Sequence, residues 1–131
     1  MKQRWSENII LFFLGGGVYY FIEILWRGFS HISMFVCGGC CFLSVGKTAC
    51  FLQGKVSFLG RMLIGTVIIT GLEFITGVIV NIWMKLNIWD YSEMPLNIWG
   101  QICLPYSIFW FFLTVPCIKI YEWMKENVFS V

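Results

Sequence analysis

The sequence predicts an all-α integral membrane protein: a bundle of four transmembrane helices, N-in and C-in, with an interfacial segment between helices 3 and 4. Three observations carry this. Hydrophobic residues make up 59% of the 131 positions and charged residues only 12%, against about 25% charged in a soluble domain. Apolar runs near the roughly 20 residues a bilayer requires recur along the chain. A polar, aromatic, proline-marked stretch from Trp89 to Gln101 separates the last two runs.

The length fits one domain, residues 1–131, with spans at 7–26, 32–52, 58–84 and 97–121. It is too short for a transporter that carries its own nucleotide-binding part, so an ATP-driven role implies a separate subunit. In the first span, Lys2 and Arg4 precede the run from Ile9 to Leu25, which Gly15-Gly16-Gly17 and Glu23 interrupt. A signal peptide opens similarly, but no A-x-A-like site follows, and the segment is expected to stay as a helix. Arg27-Gly28-Phe29-Ser30-His31 make the first connection, because Gly and Ser weaken a helix and the cationic or titratable groups resist hydrocarbon.

The second run, Ile32–Leu52, is broken at Gly46-Lys47-Thr48, where Lys47 can lay its methylene stem along the helix and set its ammonium near a headgroup. Gln53-Gly54-Lys55 form the turn that follows. The third run, Phe58–Met84, is longer than a bilayer needs, which predicts tilt or interfacial extension. The fourth, from Asn97 or Ile98 to about Tyr121, contains Pro105 and Pro116, each of which removes a backbone donor and is expected to kink it.

Orientation follows from the cations. With the N-terminus inside, Lys2, Arg4, Lys47, Lys55, Arg61, Lys119 and Lys125 lie on the inner side, and only Arg27 and Lys85 on the outer. The asymmetry favours N-in and C-in. Tryptophans agree with it: Trp5 and Trp123 fall at inner ends, while Trp26, Trp83, Trp89 and Trp99 fall at outer ends as interfacial anchors. The net charge of +2, without a basic arm or stripe, gives nucleic-acid binding no support.

Intramembrane polar residues are the candidate site, because an ionisable group at bilayer depth costs on the order of 2.5 to 3.5 kcal/mol unless it faces protein or water. Thr66, Thr70, Glu73, Gly77 and Asn81 follow one another at spacings of three or four residues and share one face of helix 3. Gly16, Tyr20, Glu23 and Arg27 do the same in helix 1, which sets Glu23 one turn from Arg27 for pairing. Two readings stand side by side. Small and hydroxyl residues also serve helix packing alone; Glu73 reads as an ion or proton relay or as the buried partner of a cation.

Several motifs fail. Gly46-Lys47-Thr48 resembles the tail of a P-loop, yet Cys41 occupies the position of its first glycine and an apolar helix precedes it. The C-x-x-C within Cys37-Gly38-Gly39-Cys40-Cys41 has no second cysteine pair at metal spacing and reads as packing, so no metal and no cofactor is expected. Cys50, Cys103 and Cys117 are scattered and suggest no disulfide framework. The lone His31 reads as an interfacial residue, with pH sensing or proton entry beside it. No Ser-His-acid or Cys-His arrangement points to an enzyme.

Trp89-Asp90-Tyr91-Ser92, Pro95, Asn97, Gly100-Gln101 and Cys103-Leu104 resemble the signature of the Putative ABC-transporter type IV family, small bacterial membrane proteins also described as CmpB-like permeases. Tyr20, Ile22-Glu23, Trp26-Arg27-Gly28, Ser30-His31, Ser33-Met34, Gly38-Gly39 and Cys41-Phe42 resemble its first segment. Thr70, Glu73-Phe74, Gly77 and Asn81 resemble its third-helix segment, and together the blocks cover most of residues 16–112. The resemblance implies a multi-pass protein of the bacterial plasma membrane and a transport role, with a separate ATPase subunit implied by the label alone. It puts emphasis on Glu23, Arg27, His31, Glu73, Asn81, Asp90, Asn97 and Gln101 without assigning roles.

Two functions are expected to compete. The first is a transporter or channel component, homo-oligomeric or joined to a partner membrane subunit, with a polar intramembrane face centred on Glu73. In this reading the Trp89–Gln101 segment lies at the outer interface and presents Asp90, Asn97 and Gln101 toward that face. The second is a non-transporting scaffold or regulatory subunit that packs against partner helices. The segment also has a local account: Asp90 and Glu93 can cap a helical turn, and Asn97 can N-cap helix 4.

Overall fold

The computed structural model describes residues 2–28 and 30–127, with side chains from Ser6 onward. Met1, Phe29 and residues 128–131 lie outside the described residues, as do the side chains of Lys2, Arg4 and Trp5, on which the charge count and the aromatic belt partly rest. The described residues are all-helical and contain no β-strand: α1 (Lys2–Arg27), α2 (Ile32–Phe51), α3 (Phe58–Gly77), which runs on into a π-helical turn (Val78–Trp83), and α4 (Leu104–Asn127). Four helical stretches are long and apolar enough to cross a membrane: Ser6–Arg27, Ile32–Phe51, Phe58–Trp83 and Leu104–Asn127.

Caps mark where the helices start. His31, in an extended conformation, accepts the Ser33 N–H through Nδ1 at the head of α2, and Ser57 Oγ accepts the Gly60 N–H at the head of α3. Each side chain satisfies a first-turn donor that the helix itself leaves open. Gly54, at φ 83°, closes the turn between them in a left-handed conformation that other residues adopt only at a cost.

α1 lies along α2 at close range because small residues face large ones. A Cβ at Gly38 would stand 2.7 Å from Tyr19, and one at Gly39 would stand 2.7 Å from the Phe12 ring. The Cys37–Cys41 run is therefore an approach surface for α1. α2 also packs on α3 and α4, and α3 on α4, around Val45, Ala49, Ile69, Trp110 and Ile118. α1 meets α4 at the end of the bundle carrying the termini, where Leu11 packs near Tyr121 and Lys125 Nζ donates to Glu7 Oε2 at 2.7 Å. The two helices meet again where the Tyr19 and Trp110 rings lie 5.9 Å apart. Between these points they bound a lateral cleft.

Helix 4 departs from the expected bounds. It begins at Leu104, well after Asn97, and continues to Asn127, past Tyr121. Asn97 spends its side chain elsewhere, and Cys103 O accepts both the Ser107 N–H and the Ser107 hydroxyl at the true start. Pro105 therefore sits in the first turn, where a missing N–H leaves no bond unmade. Pro116 alone lies inside the helix, which runs on through it.

Candidate functional site

The polar residues of α3 divide into two groups with different surroundings. Near the loop end of the bundle, the π-helical turn brings Asn81 inward, where its side chain holds the segment between α3 and α4 in place. Asn81 Nδ2 donates to Gln101 Oε1 at 2.8 Å, and Oδ1 accepts the backbone N–H groups of Ile88 at 2.6 Å and Trp89 at 3.3 Å. Gln101 Nε2 donates to Trp99 O at 2.9 Å, and Gln101 O accepts the Trp89 indole N–H at 2.9 Å. A methyl group at Gly77 would collide with Gln101 Oε1 and the Trp89 ring. Gly77 is thus small because the segment folds over it.

Trp89 is buried, unlike Trp26, Trp83 and Trp99, which are at least 70% exposed. The expectation that all four act as interfacial anchors is corrected for Trp89, whose indole is a core group with a satisfied donor. Asp90 and Asn97 do not point toward Glu73 either. Asp90 is exposed and its Oδ1 accepts the Ser92 N–H at 2.9 Å, a bond that holds its carboxyl below the usual carboxylate range. Asn97 accepts the Gly100 N–H at 3.0 Å and donates to Met94 O at 2.9 Å and Ser92 O at 3.2 Å. Both fold the segment on itself, which is also why Asn97 is not the cap of α4. Of the three residues expected to reach inward, only Gln101 is buried.

α1 contributes a second attachment. Arg27 Nη1 donates to Glu23 Oε2 at 3.1 Å, forming the pair expected one helical turn apart, and Nη2 donates to the Ile88 carbonyl. The segment is therefore tied down through Ile88 from both sides, its N–H to Asn81 and its C=O to Arg27. His31 stands at the head of α2 with Nδ1 directed at Ser33.

Glu73 lies two helical turns from Asn81 and has none of this support. It is 4% exposed, and its Oε1 has no hydrogen-bond partner among the described residues. The Trp110 indole stands beside the carboxyl group, but no contact between them has the geometry of a hydrogen bond, and Trp110 Nε1 is likewise unpartnered. Thr70, half-buried one turn away, also carries an unpartnered hydroxyl, whereas Thr66 donates back to Met62 O at 2.9 Å. Buried polar groups are nearly always bonded, so this concentration of open valences is the unusual feature of the bundle.

A cavity of about 260 Å³ opens beside Glu73 and Trp110 in the cleft between α1 and α4, walled by Leu14, Val18, Phe42 and Ile120 among others. A neighbouring cavity of about 350 Å³ includes Glu23, Trp26, Tyr106 and Phe109, and both share Tyr19 and Trp110. Cys37, Cys41 and Cys117 also line the first cavity, but among the described residues no three His, Cys, Asp or Glu side chains converge as metal ligands would.

Sequence reasoning missed three participants. Trp110 and Tyr19 sit inside apolar runs, and their only signal was a polar tip where hydrocarbon offers no partner. Arg61, counted in the sequence only as an inner-side cation, is buried and pairs with Glu122 at 3.2 Å while donating to Ala49 O at 3.2 Å. This pair and Lys125–Glu7 tie the end of the bundle carrying the termini.

Four helices of spanning length and composition, with polar groups concentrated inside the bundle, define a multi-pass membrane protein. The chain belongs to the Putative ABC-transporter type IV family, whose model matches residues 10–131. No curated protein and no solved structure matches it. The family label is that of an ABC-transporter-type membrane protein and carries no residue roles.

Proposed function

We propose that the chain is the membrane component of a small transport system and that its working element is a polar intramembrane face centred on Glu73. Thr70 continues this face on one side and Glu23 flanks it from α1, while Asn81, Gln101, Arg27, Asp90 and Asn97 fix the segment that closes its other end and His31 caps α2. The observation that carries the reading is the unpartnered Oε1 of a buried Glu73 on the wall of an open cleft. A carboxyl group at that depth is costly to insert, and here its Oε1 has no hydrogen bond among the described residues to offset the cost. Packing gives no reason to keep it; use gives one.

In this reading both termini are cytoplasmic, following the excess of Lys and Arg on that side, and the protein resides in the bacterial plasma membrane. The Trp89–Gln101 segment lies at the outer interface. The protein is not an enzyme, and the chain conducts down a gradient as a homo-oligomer or with a partner membrane subunit; a separate ATPase follows from the family label alone. Reconstitution into liposomes with a panel of ions and protons tests the proposal. Flux is expected, and Glu73→Gln should lower it about tenfold or more. An absence of flux from the folded protein, or flux indifferent to Glu73→Gln, would overturn it.

One observation favours the scaffold reading. Gly71 opens onto free space on a face of α3 shared with the exposed Val67 and Ile75, and a small residue there admits a partner helix closely. Gly77 offers no such surface, being covered by Gln101 and Trp89. A scaffold should lose a co-purifying subunit on Gly71→Leu; a transporter working alone should lose none.

A further inference from the structure

We propose that the cleft between α1 and α4 is a binding site for a lipid alcohol, a molecule with an apolar tail and a hydroxyl head, entering sideways from the bilayer. The inference rests on reading the Glu73 cleft as the working site and names the class of molecule it takes. Three features of the cleft define the ligand. Its walls are side chains such as Leu14, Val18, Phe42 and Ile120, and its volume of about 260 Å³ exceeds the ~150 Å³ of an apolar cavity that stays dry and takes up benzene. Such a space selects an apolar body over water.

The opening faces lipid. Val18, Ile22 and Ile120 line the cavity and are also 48%, 38% and 46% exposed, and Leu14 on α1 with Leu113 and Pro116 on α4, which line it too, lie near the middle of their helices. Entry is therefore from the acyl-chain region of the bilayer.

The head group follows from the two open valences. Glu73 Oε1 is an acceptor without a donor, and Trp110 Nε1–H is a donor without an acceptor; the residues are 4% and 6% exposed and stand beside each other on the cavity wall. Both atoms lie just behind the apolar wall, and a small turn of the Glu73 and Trp110 side chains toward the cavity lets one hydroxyl group satisfy both, donating to the carboxyl oxygen and accepting from the indole. A hydrocarbon satisfies neither, and an ammonium group has no lone pair for the indole.

The test is photolabelling of the full chain in phosphatidylcholine nanodiscs, with a diazirine-bearing hexadecanol and the matching diazirine-bearing hexadecane as probes. The alcohol should label α1 around Leu14–Ile22 and α4 around Leu113–Ile120 more strongly than the alkane, and unlabelled hexadecanol should compete. Trp110→Phe should reduce that preference about fivefold, as expected of one hydrogen bond, and Leu113→Trp should block labelling by filling the cleft. Because the larger variant can fail to fold, the conservative Trp110→Phe carries the comparison. Equal labelling by the two probes in the wild-type protein, labelling spread evenly over the lipid-facing surfaces, or a preference that survives Trp110→Phe would each overturn the proposal. Cleft labelling without flux would sink the transport reading and leave this site standing; flux without cleft labelling would do the reverse.

Discussion

Asn81 and Glu73 lie on the same face of one helix, two turns apart, and both are buried, yet they live in opposite conditions. Asn81 bonds through both ends of its amide, with Nδ2 donating to Gln101 and Oδ1 accepting two backbone N–H groups. Glu73 leaves an oxygen open beside an equally unused indole. The contrast separates two purposes that a polar stripe in a membrane helix can serve. Where every group is bonded, polarity fixes a conformation; where groups are left open in a cleft, polarity is held for something else.

The largest effect should come from removing Asn81, the centre of the bonded network. Asn81→Leu keeps the volume but strands Gln101 and the N–H groups of Ile88 and Trp89, and unsatisfied buried groups cost about 1–3 kcal/mol each. A loss of about 3 kcal/mol, read as a lowered midpoint of thermal unfolding in detergent, is expected, with Trp89 becoming accessible to fluorescence quenchers. If stability is unchanged, the segment is held by other contacts.

The opposite sign is expected at Glu73. Glu73→Leu removes a buried polar group with an unpartnered oxygen from an apolar wall and should stabilise the protein by about 1 kcal/mol while abolishing flux. A destabilised variant would show that Glu73 is bonded after all, which would erase the contrast with Asn81.

The smallest effect belongs to Asp90, at the surface of the segment. Its carboxyl group titrates below its ordinary value of 3.8 because the folded chain hydrogen-bonds the charged form. The stability it adds is therefore present above that ordinary value and fades as the pH falls below it through the folded value. Proteolysis within Ser92–Leu96 should increase slightly over that acidic window, and Asp90→Asn should remove the dependence.

Much of this architecture could be read from the residues alone. The apolar runs located the helices, the i,i+4 spacing anticipated the Glu23–Arg27 pair, and Gly54 marked its turn. The segment between α3 and α4 was less legible because its conformation is set from outside it. Asn97 looks like a helix cap in sequence, but Asn81, Gln101 and Trp89 form a network across 20 residues of chain that no local rule specifies. Lys85, Asn87, Leu96 and Trp99 adopt φ values between 53° and 57°. Such a conformation costs about 1 kcal/mol or more for a non-glycine residue and persists only where surrounding contacts impose it. The candidate site was half legible. Glu73 stood out by its charge, whereas Trp110 is one aromatic residue among many until α4 is packed against α3.

If Glu73 is kept for use and not for packing, liposome flux and thermal unfolding measured on one preparation of Glu73→Gln should respond differently. Lost flux with an unchanged or raised unfolding midpoint is the predicted result. Retained flux, or a lowered midpoint that accounts for the loss, would contradict it.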